Sequence, residues 1–356
     1  MTTEMTMNEA KTEAFVGKVL TDTSGTVVTL LAAIGDRVGL FSALAGAGAV
    51  TSEALAERTG LNERYVREWL AAMASAGYIE YDPSDARFTL PPEHAVALAQ
   101  ERGPEFFGGV HQEILGVLPA IPYVIQAFKG GGGVPQSAYG NDFWEGLERF
   151  TAGWFEYLLL PVWIPSLPEV QQKLERGVLV ADVGCGGGLA LIKLAQAYPN
   201  SRFVGYDIAE PQIARARTNA EAAGVADRIT FKRTDAVQGL PETYDLITTF
   251  DVVHDAVDPR GLLCAIRQAL KPDGVYLCLD INCSDRLEEN AGPIGAMLYS
   301  ISPLYCMTVS LAGGGEGLGT MGLPESKLRE LATSAGFSSV RLVPLEDPFN
   351  NLYEVR

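Results

Sequence analysis

The sequence predicts an α/β chain with a helical front that carries a small hairpin and a rear built on a mostly parallel sheet. Three observations carry that prediction. The chain has 356 residues, enough for two domains. Up to about residue 177 its apolar residues recur mainly at helical spacing. Beyond that point continuous apolar strands alternate with helices, the pattern of a parallel sheet covered on both faces.

Phe15, Val19 and Leu20, then Val27, Leu30, Leu31 and Ile34, place helices between Thr12 and Ala45. Thr51 or Ser52 caps the next helix and Gly60 ends it. A second helix, Asn62 to about Ala76, puts Tyr65, Val66, Trp69, Leu70 and Met73 on one face. Tyr78–Tyr81 and Arg87–Leu90, joined across Asp82-Pro-Ser-Asp85, read as a hairpin, and helix–turn–helix plus hairpin is a winged-helix pattern. Pro104 to Gly177 reads as helices broken by prolines and by Gly130–Gly133, and its aromatics include Trp154, Phe155 and Trp163. It is expected to be a connector that covers a pocket. Strands then fall at 178–183, 202–206, 229–232, 244–250 and 275–280, with helices at 189–198, 211–223 and 261–270. A tail adds helix 325–335 and strands at 339–344 and near 351–355. The expected domains are 1–100, helical and winged-helix, 101–177, the connector, and 178–356, the sheet domain.

Composition excludes several function classes. Hydrophobic residues make up 47% and charged residues 20%, so disorder is not the default. A net charge of −17 repels phosphate, which argues against nucleic acid or an anionic membrane as the main partner. The winged-helix region adds to this, because residues 51–100 hold four basic and eight acidic residues. The five cysteines are Cys185, Cys264, Cys278, Cys283 and Cys306, an odd number without a C-x-x-C pair. That pattern argues against a disulfide framework and a zinc ribbon, and no metal is expected. Met1–Lys18 lacks an apolar signal-peptide core, and apolar stretches such as Val27–Ile34 are too short to span a bilayer. The expectation is a cytoplasmic protein with no membrane partner.

The strongest local signal is Asp182-Val-Gly184-Cys185-Gly186-Gly-Gly188, set between a strand and a helix. Glycines here let the backbone turn sharply and approach a ligand closely. The dinucleotide pattern G-x-G-x-x-G fails, since the sixth residue from Gly184 is Leu189. The spacing is G-x-G-x-G, with an acid two residues ahead. Val204-Gly-Tyr-Asp207 ends the second strand, 19 residues beyond Gly188, and Asp235-Ala236 follows the third. Tyr244–Asp251 forms the fourth, and Leu270-Lys-Pro-Asp-Gly274 precedes the fifth. In this order and spacing the rear domain resembles class I S-adenosylmethionine (SAM)-dependent methyltransferases. The resemblance implies a Rossmann-like domain with a seven-stranded, mostly parallel sheet. It implies SAM as cofactor and S-adenosylhomocysteine (SAH) as product. The positions it assigns to cofactor binding are Asp182, Gly184, Cys185, Gly186, Gly188, Asp207, Ile208, Asp235, Ala236, Phe250 and Asp251. Asp207 would accept the ribose hydroxyls, and Asp235 would accept from the adenine amino group.

Val252-Val-His254-Asp255 follows the fourth strand, and ligands of open parallel sheets bind beyond the carboxyl ends of strands. The pair resembles the His-Asp of plant-type small-molecule O-methyltransferases, which also carry an N-terminal winged-helix dimerisation domain. That resemblance implies catalytic roles for His254 and Asp255, with His254 as general base, a small-molecule methyl acceptor, and a homodimer. Ala256 stands where the plant enzymes carry tryptophan, which weakens transfer of their phenolic substrates. Tyr299–Met307, Gly317-Leu-Gly-Thr-Met321 and Asp347-Pro-Phe-Asn350 resemble a bacterial branch. Met297, Met307, Met321, Tyr299, Tyr305, Trp154 and Phe155 are candidate lining for an apolar acceptor pocket, and Gly313–Gly322 is a candidate lid. His111 is expected on a helix surface and His94 in solvent. Two other functions share these motifs: a winged-helix regulator that senses SAM, and a SAM-dependent enzyme whose chemistry is not methyl transfer.

Overall fold

The computed structural model describes residues 7–356, so the first six residues of the expected N-terminal domain lie outside it. The chain forms two compact units. One runs up to Gly116 and includes Asn141–Phe150, and the other holds Val117–Gly140 and Thr151–Arg356. The segment 101–177, read from sequence as one connector, is therefore shared between them.

In the first unit, α1 (Glu9–Arg37) starts at Asn8, whose side chain accepts from the Lys11 N–H. After α2 (Leu40–Leu44), Thr51 caps α3 (Ser52–Thr59) by accepting from Ala54 N–H, and Gly60 closes it with φ 69°. The winged-helix pattern is completed by α4 (Glu63–Ser75) and the antiparallel pair β1 (Glu80–Asp82) and β2 (Arg87–Thr89). Val66, Trp69, Leu70 and Met73 of α4 are buried, but Tyr65 is 78% exposed. Tyr65 sits one residue before the stripe, about 100° round the helix, so it faces away from Phe41, Leu44, Leu55 and Phe88. Trp69 Nε1 donates to Leu31 O at 3.0 Å. Then come α5 (Pro92–Leu98), α6 (Gly108–Val117) and, after α7 (Ile121–Gly130) of the second unit, α8 (Asn141–Trp154). Within the first unit α6 and α8 cross closely: a Cβ on Gly109 would meet Phe150 N at 2.4 Å, and one on Gly146 would meet Glu113 N at 2.4 Å. This crossing buries His111, against the surface position expected for it. His94 is half-buried, its Nδ1 2.9 Å from Tyr78 O, rather than in solvent.

The second unit contains α7 and a π-helical stretch, Phe155–Trp163, leading to α9 (Pro168–Arg176). Its body is β3 (Leu179–Val183), α10 (Leu189–Ala197), β4 (Arg202–Asp207), α11 (Glu210–Ala222), β5 (Ile229–Arg233), β6 (Tyr244–Phe250), α12 (Pro259–Ala269) and β7 (Leu270–Ile281). It ends with α13 (Pro293–Leu304), α14 (Cys306–Ala312), α15 (Glu325–Ser334), β8 (Val340–Val343) and β9 (Asn350–Val355). The seven strands lie in the order β5-β4-β3-β6-β7-β9-β8, parallel except for the last two pairings. Strand residues alternate between two apolar layers. Val180, Leu246 and Leu277 pack with Leu191, Ile213 and Trp163 on one face, and Ala181, Ile247 and Tyr276 pack with Leu263 and Leu331 on the other. The chain order reverses at the β3–β6 neighbour pair, which opens a crevice at their carboxyl ends.

The sequence reading places no element between strand 275–280 and helix 325–335, where the structure forms α13, which contains Pro303, and α14. Pro293–Ala312 is long and apolar enough to cross a membrane, contrary to the expectation that no stretch is. It breaks at Tyr305, and Leu298, Tyr305, Cys306 and Val309 are buried within the unit.

Candidate functional site

The glycine turn joins β3 to α10. Asp182 is buried, and its Oδ1 accepts from Thr248 Oγ1 of neighbouring β6 at 2.7 Å. Burial pushes its carboxyl up to about 7. Gly184 has φ 73°, and a Cβ there would lie 2.5 Å from Val252 Cγ2, so glycine is required on both counts. The same contact places the turn after β6 directly against the glycine turn. Gly184 and Cys185 N–H both donate to Tyr206 O, at 2.8 and 3.0 Å. Cys185 is itself buried.

At the end of β4 the Asp207 carboxylate is half-buried, and it accepts from Gly186 N–H at 3.0 Å and Ala209 N–H at 2.8 Å. A carboxylate offers about four acceptor positions, so capacity remains for a ligand's hydroxyls. Ile208 beside it is 52% exposed, an apolar surface next to the acid. Asp235 is exposed and caps the short turn Ala236–Gln238 through Val237 N–H at 3.1 Å, while Ala236 is buried. Left-handed glycines packed against side chains, a carboxylate with free acceptor positions and a flanking exposed isoleucine fit an adenosyl group.

Beyond β6 the side chains turn to a different task. Phe250 stacks on Trp163 at 6.0 Å and meets Phe155 edge-on at 5.2 Å. Asp251 has φ 54°, an uncommon conformation for a residue with a side chain. Its Oδ1 accepts from Asn350 Nδ2 at 2.6 Å. Sequence reading put Asp251 with the cofactor residues, and its carboxylate lies in a cluster with His254 and Asp280, one donor atom from each lying within 4.8 Å of the others. His254 is 4% exposed, and its Nδ1 lies 2.7 Å from Oδ1 of Asp280, which is fully buried at the end of β7. Asp255, the expected partner, has no such bond to the ring, because the chain turns between the two residues. Its carboxyl is pushed up to about 6 by burial, with His254 opposing. Burial works against an imidazolium at His254, but the charge of Asp280, together with Cys306 against the ring, outweighs burial and lifts its pKa well above that of free histidine. Asp280 is the member of this cluster that sequence reasoning missed. Its signal was an acid closing an otherwise apolar strand.

A cavity of about 390 Å³ adjoins the end of β7, with Cys283, Ile294, Leu298 and Met321 on its apolar side and Asn290 among its polar groups. Of the seven side chains expected to line an acceptor pocket, Met321 alone borders it. Tyr305 is buried, and Met297 and Tyr299 are each 38% exposed. The candidate lid is pinned: Gly319 N–H donates to His254 O at 3.0 Å, Thr320 N–H to Ser302 Oγ at 3.2 Å, and Gly317 N–H to Ser310 Oγ at 3.2 Å. A larger open groove of about 630 Å³ borders Leu179 and Leu240, at the opposite end of the strands from the glycine turn.

Comparison with known proteins agrees with this fold. Residues 26–100 match the Rv2258c-like winged HTH domain, and residues 181–276 match a methyltransferase domain. The chain pairs a winged helix-turn-helix domain with a methyltransferase domain. Within the latter, 107 residues are 33% identical to the ubiquinone biosynthesis O-methyltransferase of Dinoroseobacter shibae, covering 30% of this chain and 42% of that one. The chain thus spans less than half the length of the curated relatives it matches. Among solved structures, mitomycin 7-O-methyltransferase MmcR superposes with a TM-score of 0.71 at 20% identity, covering 98% of this chain and 99% of that one. Human N-acetylserotonin methyltransferase in complex with SAM gives 0.70 at 17%, covering 99% of each. At these identities the likeness establishes a shared fold for nearly the full length of the chain.

Proposed function

We propose that the protein is a SAM-dependent O-methyltransferase acting on a small, largely apolar molecule, with His254 taking the proton of the acceptor hydroxyl. The observation that carries this reading is the buried His254–Asp280 pair at the carboxyl ends of neighbouring strands, beside the glycine turn. Similarity to O-methyltransferases supports oxygen as the acceptor atom over nitrogen or sulfur.

Asp182 and the turn Gly184-Cys185-Gly186-Gly-Gly188 would shape the cofactor cradle. Asp207 would hold the ribose hydroxyls, Ile208, Ala236 and Phe250 would border the adenosyl group, and Asp235 would face the adenine amino group. Bound SAM supplies an electrophilic methyl group. The protein's own part is position and proton transfer. With Nδ1 donating to Asp280, a neutral His254 keeps Nε2 as its proton acceptor. The raised pKa favours the protonated ring, so the competent neutral form grows as pH rises. The rate is expected to fall as pH drops, with its midpoint on the alkaline side of free histidine. Single-turnover methylation against pH, with a hydroxyl acceptor found by screening, checks this. His254→Ala should lower the maximal rate by roughly 10²–10⁴ with SAH affinity near wild type. A variant at full rate would assign His254 to structure.

The front region to about residue 100 serves dimerisation, the second-unit stretch 151–177 covers the acceptor, and 178–356 carries the chemistry, in a cytoplasmic homodimer. The regulator alternative is disfavoured because Arg64 and Arg67 on α4 are already paired with Glu68 and Glu63. Salt-dependent retention on heparin would revive it. Methylthioadenosine instead of SAH as by-product would favour the alternative with other SAM chemistry.

A further inference from the structure

The cluster behind His254 has more acceptors than donors. Asp280 Oδ1 takes His254 Nδ1 at 2.7 Å and Ile281 N–H at 2.9 Å, while Asp280 Oδ2 is buried without a partner. Asp251 places a carboxylate oxygen within 4.8 Å of the same group, and its Oδ1 is held by Asn350 Nδ2 at 2.6 Å. Asn350 is itself set in place by the Asp347-Pro-Phe-Asn350 turn, where Asp347 Oδ1 accepts from Phe349 N–H at 2.9 Å and Asn350 N–H at 3.1 Å. That motif stood out in the sequence, and none of the residues assigned to cofactor binding from sequence lies in it. Two carboxylates this close, one fully buried and one half-buried, cannot both be ionised cheaply, and an unpaired buried carboxylate oxygen is costly. One proton removes both penalties.

We propose that Asp251 is carried as the neutral acid and donates a hydrogen bond to Asp280 Oδ2, so that Asp251 and Asn350 are positioning residues for the His254–Asp280 pair. The proton goes to Asp280 rather than to the free Asn350 Oδ1 because a charged acceptor makes a bond about twice as strong. The groups facing Asp251 are Asp280 and Cys278 from β7, His254 and Asp255 from the turn after β6, and Asn350 from β9. Cys278 is a neutral thiol, its pKa pushed up to about 12 by burial, so the anions in this set are carboxylates. Burial and the Asp280 charge hold the Asp251 carboxyl well above the ordinary carboxylate range. The left-handed backbone of Asp251 is the local strain that aims its side chain back into the cluster. The arrangement makes His254 face one negative charge instead of two, which limits how far its pKa rises and keeps a usable base within reach of physiological pH.

This inference deepens the reading of His254 as the proton acceptor, and its test needs no acceptor molecule. The chain has three histidines, so ¹⁵N-histidine labelling of the full-length protein gives few ring signals, and His254→Gln assigns the one in question. With Asp251 neutral, Asp251→Asn preserves both the donor and the acceptor, and the His254 titration midpoint should stay within about half a unit of wild type. Asp251→Leu leaves Asp280 Oδ2 unpaired and more basic, and the midpoint should rise by about one unit. A downward shift in Asp251→Asn would mean that Asp251 acts as an anion, and equal midpoints in all three proteins would mean that it does not touch the pair. Either result overturns the proposal. Should Asp251→Leu fail to fold, the infrared difference between wild type and Asp251→Asn at neutral pH decides: a protonated-carboxyl band present in wild type and lost in the variant is expected, and its absence from wild type overturns the assignment. Loss of activity in His254→Ala reads the catalytic role separately.

Discussion

Asp207 and Asp280 are both strand-end carboxylates, yet their surroundings separate their work. Asp207 keeps acceptor positions open toward ligand space and is held by two backbone donors. Asp280 is fully buried and bonded to a ring. Asp207→Ala should weaken SAH binding by at least tenfold, since hydrogen bonds to a charged group are each worth roughly 1.5–3 kcal/mol. Calorimetry with SAH reads this, and unchanged affinity would remove Asp207 from the cofactor site. Asp280→Asn should do the reverse, leaving SAH affinity intact while the single-turnover rate falls by roughly 10²-fold or more. Asp255→Asn should cost less than Asp280→Asn, because Asp280 holds Nδ1. Equal losses would return the orienting role to Asp255.

Close approach between segments explains why some small residues cannot grow. On α1, Gly35 lies under Trp69 of α4, and a Cβ there would come within 2.4 Å of the indole. Alanine normally gains roughly 1 kcal/mol over glycine inside a helix. Here the clash dominates, because overpacking costs about 1–3 kcal/mol and Trp69 is tied by its Nε1 to Leu31 O. Gly35→Ala should therefore lower the melting temperature of the first unit, and a stabilised variant would contradict the packing described. The pinned segment Gly313–Gly322 follows the same logic: a Cβ on Gly319 would meet Ser302 Oγ at 2.3 Å, so this run is glycine-rich to fit against α13 as well as to bend.

Charge and surface decide how the protein responds to its solution. The Asp182 carboxyl is raised from 3.8 to about 7, and Asp251 is raised also. A folded-state pKa above the unfolded value contributes stability that is full below the unfolded pKa and lost as pH rises through the folded one. These two groups should make the protein progressively less stable between about pH 4 and pH 8, and Asp182→Asn should flatten the part of that slope up to about pH 7 in chemical denaturation series. A slope unchanged by the substitution would mean that Asp182 is ionised in the folded protein. On α1, Phe15, Leu20 and Val27 are 65%, 69% and 61% exposed, a long apolar stripe that a second copy would cover. Light scattering at micromolar concentration should give twice the chain mass, and Phe15→Glu with Leu20→Glu should give a monomer.

Much of this protein is legible along the chain because its signals are local. The βα periodicity from Val178 to Asp280, the glycine spacing at 184–188 and the cap at Thr51 each depend on neighbours within one or two turns, and the strands and helices there end within a few residues of expectation. Tyr65 and His111 were misread because burial depends on what packs against a segment, and a periodic stripe does not say where its edge lies. The site divides the same way. Asp182, Gly184 and Asp207 announce themselves by spacing, since one backbone turn must shape one cradle. The partners of His254 do not, because Asp280 lies 26 residues away and Asn350 96 residues away. Only the parallel pairing of β6 with β7, and the antiparallel return of β9, brings their side chains together. A buried carboxylate's protonation depends on that meeting of charges, which no stretch of sequence contains.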